Sequence, residues 1–187
     1  VKLLVHTQPQ EAGVSKKKPA NFELGIGGSV EEKLEYAEEM IGKEIEFSDV
    51  FDEGEYSDVI GVTKGKGTEG PIQRYGIKRL DHKTQKKRRK AGNVGPWHPD
   101  QLSWRIPLPG QQGYNNRTEH NKRIFAHSDN PESVQREGGF NGYGEVKTNY
   151  ILVKGSVPGP SERLIRLRTA LRSDENPGNP EITHIEK

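Results

Sequence analysis

The sequence predicts a mainly β fold with a small α part, an α+β chain interrupted by a long cationic stretch without regular structure. Three observations predict it. Apolar residues recur at every second position in short runs, at 1–7, 56–62 and 163–168, broken by turns rich in Gly and Pro. One stretch alone, Ser29 to Gly42, combines helical spacing with a start and a stop signal. From Lys64 to Lys90 there are eleven Lys or Arg against two acids, Glu69 and Asp81, with almost no apolar periodicity. Such a run buries no core of its own, and its glycines and prolines prevent a long helix.

Taken in order, Val1 to Thr7 reads as a strand, with Leu3 and Val5 on one face, ended by Pro9. Lys16-Lys17-Lys18-Pro19 is a short cationic linker that fits either a solvated turn or a phosphate contact. Ser29-Val30-Glu31-Glu32 is a capping box, so a helix should run from Val30 to Ile41 and stop at Gly42. Val30, Leu34, Ala37 and Ile41 share its apolar face, and Glu31, Glu32, Glu35, Glu38 and Glu39 make the rest a solvated, negative face. Ser48 to Phe51 fits a helical turn closed near Gly54, and Tyr56 to Val62 a strand feeding the cationic run. After that run, Trp104 to Leu108 resembles a returning strand, and Asn121 to Phe125 begins another. Asn130 to Gly139 is a polar loop. Tyr143 to Tyr150 and Tyr150 to Lys154 read as strands about a turn near Thr148. Gly155 to Pro160 is a rigid loop, and in Arg163 to Arg168 the pattern turns Ile165 and Leu167 inward and Arg166 and Arg168 outward. The tail from Ser173 is rich in Pro and Asn, with a short strand expected at Ile182 to Ile185.

With 29% hydrophobic and 30% charged residues, 187 residues are too polar to fill one core, so part of the chain must be solvated or packed on something else. The net charge of +2 conceals strong segregation. Glu31 to Asp58 holds twelve acids and two lysines, whereas Lys147 to Arg172 holds six basic residues and only Glu162. This pattern favours a polyanion on some faces and water or a basic protein on another. Cysteine is absent, which excludes disulfides and Cys-based zinc sites. No apolar run approaches the roughly 20 residues of a membrane span. The histidines His6, His82, His98, His120, His127 and His184 form no zinc-protease pair, and no Gly-x-Ser-x-Gly elbow occurs. Gly61 to Thr68 nearly matches a phosphate-binding loop. Its spacing is wrong, Gly67 stands where Ser or Thr must hold magnesium, and no helix signal follows. Neither a catalytic site nor a cofactor or metal is expected.

The cationic run needs a polyanion to order it, and nucleic acid is the natural one. Free of RNA, it should be disordered and cut by proteases near Lys86 to Lys90. The candidate RNA-binding residues are Lys64, Lys66, Arg74, Lys78, Arg79, Lys83, Lys86, Lys87, Arg88, Arg89 and Lys90, followed by Trp97, His98, Trp104, Arg105, Gln111, Tyr114 and Arg117. Lys154, Arg163, Arg166 and Arg168 complete the set. Trp97, between Pro96 and Pro99, is open to two readings: a ring filling a small core, or a ring at the tip of an extended arm, stacked on a base. His98 is either an RNA contact or a solvated residue.

These residues carry a resemblance. Phe51, Asp58, Gly61, Thr63, Gly65, Lys66, Gly67, Gly70 and Arg74 fall at the spacing of the signature of the family of large-ribosomal-subunit protein three. Gly95-Pro96-Trp97-His98-Pro99, Gly110-Gln111 with Gly113-Tyr114, Arg117-Thr118-Glu119 with Asn121-Lys122-Arg123, and Val153 to Pro160 resemble its archaeal and eukaryotic branch. The resemblance covers essentially the whole chain and implies roughly the C-terminal half of a longer protein, since Val1 is no initiator Met. It implies a portion of a β-barrel of the translation-protein type, with residues 1–15 and 56–65 as barrel strands, 16–55 as an acidic helical insertion and 119–187 as return strands and tail. Residues 66–118 would be a basic extension reaching through rRNA toward the peptidyl-transferase region, with Trp97 near its tip. The family acts early in subunit assembly and lies near the binding region for elongation factors. The implied partners are large-subunit rRNA and neighbouring ribosomal proteins, with no membrane and no small-molecule substrate, in the cytoplasm. Gln85 and Asn115 stand where eukaryotic relatives often carry histidine, so imidazole-dependent contacts do not carry over. The rival readings are an RNA-binding assembly factor acting off the ribosome and, more remotely, a phosphate-loop nucleotide hydrolase.

Overall fold

The computed structural model describes residues 1–84, 86–173 and 178–185; Gln85 and the tail residues 174–177, 186 and 187 lie outside them. The described chain is mainly β with few helices. It divides into two compact units, Val62–Asn116 and the remainder, formed by Val1–Gly61 and the chain from Arg117 onward.

In the larger unit the first strand, β1 (Lys2–His6), has a partner that the sequence pattern did not announce. Strand β2 (Asn21–Gly25) pairs with it antiparallel, setting Leu3 opposite Leu24 and Val5 opposite Phe22. Those four side chains are half-buried, while Leu4, on the other face, is 76% exposed. Helix α1 (Val30–Met40) begins at the expected capping box. The Glu32 amide donates to Ser29 Oγ at 3.3 Å, and Glu32 Oε2 accepts from the Ser29 amide at 2.8 Å. The Ser29 amide and hydroxyl together hold the Glu32 carboxyl below its usual value. The helix stops one residue early: Ile41 is extended, and Gly42 takes the left-handed turn at φ 80°. Its apolar face is only partly used, because Ala37 is buried but Val30, Leu34 and Ile41 are not. A 3-10 turn, Phe47–Asp49, follows and stacks Phe47 on the buried Phe51 with ring centres 5.3 Å apart.

A four-stranded sheet supplies the centre of this unit, in the order β7 (Tyr150–Val153), β6 (Asn116–Ser128), β3 (Tyr56–Val62), β8 (Arg166–Thr169). The order is open, and the described strands do not close into a barrel. Val59 of β3 and Ile124 of β6 are fully buried, joined by Val134 at 5% exposure. Strand β6 is far longer than the expected Asn121 to Phe125. Its charged residues alternate imperfectly, and the pairing with β7 shifts register between Ile124 and Ala126.

The fully buried Asp58 occupies the middle of β3. Its Oδ1 accepts from the Asn121 amide at 3.2 Å. Its Oδ2 accepts from Arg168 Nε and Nη2 at 3.2 and 3.0 Å, with His120 Nδ1 at ion-pair distance, 3.0 Å. Burial alone would raise the carboxyl's pKa; the hydrogen bonds from Asn121, His120, Arg168 and Leu171 outweigh it and hold the group below its usual value. The antiparallel register sets Arg168 opposite Asp58, so this arginine turns onto the carboxylate rather than outward as its alternation predicted. A buried carboxylate is tolerated only with such partners.

Two other expected strands do not form. From Tyr143 to Asn149 the chain is irregular, with one isolated bridge between Phe140 and Gly144. Gly144, left-handed at φ 95°, interrupts the expected strand, since positive φ breaks a strand. Residues Ile182 to Ile185 carry no strand. The alternation there is only four residues long, beside Pro180.

Candidate nucleic-acid interface

The smaller unit is built on a narrow stem. Strand β4 (Gly67–Glu69) pairs antiparallel with β5 (Gly110–Gln112), setting Gly67 opposite Gln112 and Glu69 opposite Gly110. Below this ladder, the Thr63 amide donates to the Asn115 carbonyl at 3.0 Å and the Asn115 amide returns to Thr63 Oγ1 at 3.2 Å. The Tyr114 amide reaches the Lys64 carbonyl at 3.3 Å. Gly113, at φ 70°, lies so close that a Cβ there would run into the Lys64 carbonyl, so the turn requires glycine.

Between the stem strands, Pro71 opens helix α2 (Pro71–Tyr75), and Gly76 ends it in the left-handed conformation. The helix carries Arg74 against the returning strand. Arg74 Nε donates to the Gln111 carbonyl at 3.1 Å and Nη1 to the Leu108 carbonyl at 3.0 Å, while the guanidinium lies 5.1 Å from the centre of the Tyr75 ring. Arg74 therefore clamps the two ends of the intervening segment, a job that sequence spacing did not reveal.

The described residues of that segment, 77–84 and 86–109, contain no α-helix or strand. The expected strand from Trp104 to Leu108 is a turn followed by irregular chain, which Pro107 and Pro109 account for by denying ladder donors. A reciprocal pair of bonds folds the cationic block back on itself: the Leu80 amide donates to the Arg88 carbonyl at 3.0 Å, and Arg88 Nε to the Leu80 carbonyl at 3.4 Å. Arg88 is half-buried by this closure, whereas Lys78, Arg79, Lys83, Lys86, Lys87, Arg89 and Lys90 stay exposed. The segment's one ion pair among the described residues joins His82 to Asp81, and both are exposed. Its lysines and arginines have no acid partner among those residues.

Trp97 is 86% exposed and Trp104 84%, so neither ring fills a core, and the first of the two readings of Trp97 is excluded. The Arg105 guanidinium sits 5.3 Å from the Trp104 ring centre. Leu102 is also exposed, as are His98, Arg105 and Gln111. On the stem, Lys64 and Lys66 are exposed, and Tyr114, at φ 57°, is 67% exposed. Aromatic rings standing in water among cations suit base stacking beside phosphate contacts.

The remaining candidates lie in the larger unit and divide. Arg117 and Lys154 are exposed. Arg163 is half-buried, Arg166 lies over Phe22 with 5.4 Å to the ring centre, and Arg168 is engaged by Asp58. Where a phosphate-binding loop would run into a helix, Gly67 instead opens β4. No group of three or more His, Asp or Glu among the described residues could hold a metal ion, and no described helix is long and apolar enough to cross a membrane.

A family model described as Ribosomal protein L3 matches residues 1–186. The chain is similar to proteins named large ribosomal subunit protein uL3. It is 46% identical over 191 residues to that of Methanococcus vannielii, covering 100% of this chain and 57% of the relative. With the Methanocaldococcus jannaschii protein it is 48% identical, covering 99% and 56%, and with that of Archaeoglobus fulgidus 50%, covering 92% and 53%. The chain thus spans just over half the length of these relatives. A match across this extent means that the chain belongs to the Ribosomal protein L3 family.

Proposed function

We propose that this chain is a structural rRNA-binding part of a large ribosomal subunit protein, supporting subunit assembly and shaping rRNA near the peptidyl-transferase centre through the segment between its stem strands. Its role is one of binding and not of catalysis, and its partners are large-subunit rRNA and neighbouring ribosomal proteins in the cytoplasm. In this reading residues 66–118 form the rRNA-penetrating extension, 16–55 are an acidic helical insertion, and the four-stranded sheet belongs to a barrel of the translation-protein type. The observation that carries the reading is the segment from Lys78 to Lys90, whose cations, all exposed but the half-buried Arg88, have no acid partners among the described residues, continued by the exposed rings of Trp97 and Trp104. The names of the archaeal relatives support it.

The test is salt dependence. Affinity for large-subunit rRNA should fall as salt rises, each neutralised phosphate contributing roughly −0.7 to −0.9 to the log–log slope. Replacing Lys87, Arg88 and Arg89 with Gln should flatten that slope by about two units. An unchanged slope would mean that the block faces solvent and that the proposal fails.

A further inference from the structure

We propose that the exposed apolar edge of α1, with its row of carboxylates, is a docking surface for a cationic segment of a second polypeptide. This goes beyond rRNA binding and rests on different residues.

Three side chains that should anchor the helix are left in water: Val30 at 70%, Leu34 at 49% and Ile41 at 74% exposure. At about 100° per residue Val30 and Leu34 lie roughly 40° apart on the helix, and Ile41, the residue that caps its end, continues their spacing, so the three form one stripe. Ala37, alongside, is buried, so the helix packs on one flank of the stripe and leaves the stripe itself open. Ile41 also lines an open groove of about 1380 Å³ together with Leu4 and Val50, which are 76% and 53% exposed. Clustered exposed apolar residues of this kind mark an interaction surface more often than isolated ones do.

Charge decides what can sit there. Glu38, Glu31 and Glu35 follow the stripe over the next roughly 100° of the helix. All three are exposed, and none has an ion-pair partner among the described residues. Of the nearby cations, Lys43 is occupied by Glu39 at 3.0 Å, and Lys33, on the packed side, is half-buried. A phosphate backbone would meet three unpaired carboxylates, which excludes RNA from this face. A polypeptide with apolar residues for the stripe and Lys or Arg for the rim fits both features, an arrangement of apolar centre and charged rim typical of protein interfaces.

The test places a photo-crosslinking phenylalanine analogue at position 34 of the family-length protein assembled into purified large subunits, with a second preparation carrying it at position 97. Adducts are identified by mass spectrometry. The expected result at position 34 is an adduct to a Lys- or Arg-rich segment of another protein. Its yield should fall roughly tenfold when Glu31, Glu35 and Glu38 are changed to Gln, because several exposed pairs are lost together. An adduct to rRNA, to a segment lacking basic residues, or to the remainder of the same chain would overturn the proposal. So would no adduct, or a yield insensitive to the three Gln substitutions. The probe at position 97 reports separately on the rRNA reading, so failure of one does not imply failure of the other.

Discussion

The sheet around Asp58 and the segment from Ile77 to Pro109 handle charge in opposite ways. In the sheet a fully buried carboxylate receives its partners from the chain itself: Asn121, His120 and Arg168. In the segment the cations, all exposed except the half-buried Arg88, find among the described residues no acid partner beyond the His82–Asp81 pair. The difference teaches where each region obtains its order. The first is self-sufficient, because desolvation makes every internal partner count. The second leaves its charge unneutralised, and in the proposed reading a polyanion supplies what the chain lacks.

The comparison breaks most clearly at Asp58. Asp58→Ala should destabilise the larger unit by about 3 kcal/mol, the low end for breaking a buried pair because Arg168 stays 41% exposed. Denaturant unfolding measures it, and a loss below about 0.5 kcal/mol, the scale of an ordinary surface change, would show that the pair is dispensable. The same carboxylate sets a pH signature. Its folded pKa lies below its unfolded value, so its stabilisation is complete above the usual carboxylate range, near pH 4, and drains away as pH falls through the folded value. The Asp58→Asn variant should lose much of that acid sensitivity.

A smaller effect should appear at the stem. Gly113→Ala forces both a positive φ and a contact with the Lys64 carbonyl, and should weaken the hairpin base by about 2 kcal/mol. Amide exchange at Lys66 and Tyr114, whose bonds close the base, reads this directly. Unchanged protection would show that the base relaxes around the new methyl group.

Trp97→Ala should separate the regions most sharply. The ring is 86% exposed, so unfolding should shift by less than about 0.5 kcal/mol. RNA affinity should nonetheless drop by about 1–3 kcal/mol if the ring stacks on a base. A large stability loss with intact RNA affinity would reverse the assignment of roles.

What was legible in the sequence was local. The capping box at Ser29 and Glu32 needs only four residues, and it fixed the start of α1 to the residue. The alternation from Tyr56 to Val62 gave β3, and the charge run marked the cationic segment. What stayed hidden depends on partners far along the chain. Strand β2 is only five residues, Asn21 to Gly25, and is intelligible as a strand because β1 lies beside it. Arg168 looked outward by alternation, yet its partner lies 110 positions earlier. Arg74 looked like one more cation, but the carbonyls it holds belong to residues 108 and 111. The spacing showed that Val30, Leu34 and Ile41 share a face of α1, but helical spacing does not tell whether anything covers that face.

The pairing of β3 with β8 also has a consequence for the order of events during synthesis. Asp58 and Arg168 are separated by 110 residues, and the whole 62–116 unit is made in between. Closing so long a loop carries an entropic cost that only the finished sheet offsets, and such nonlocal pairings form slowly. Until Arg168 leaves the translating ribosome, the Asp58 carboxylate has no guanidinium partner and this edge of β3 stays unpaired. The cationic segment emerges earlier and needs no such partner from downstream. A nascent chain of this protein should therefore be able to engage polyanions before its own sheet is complete, which makes the relative timing of the two steps a property written into its topology.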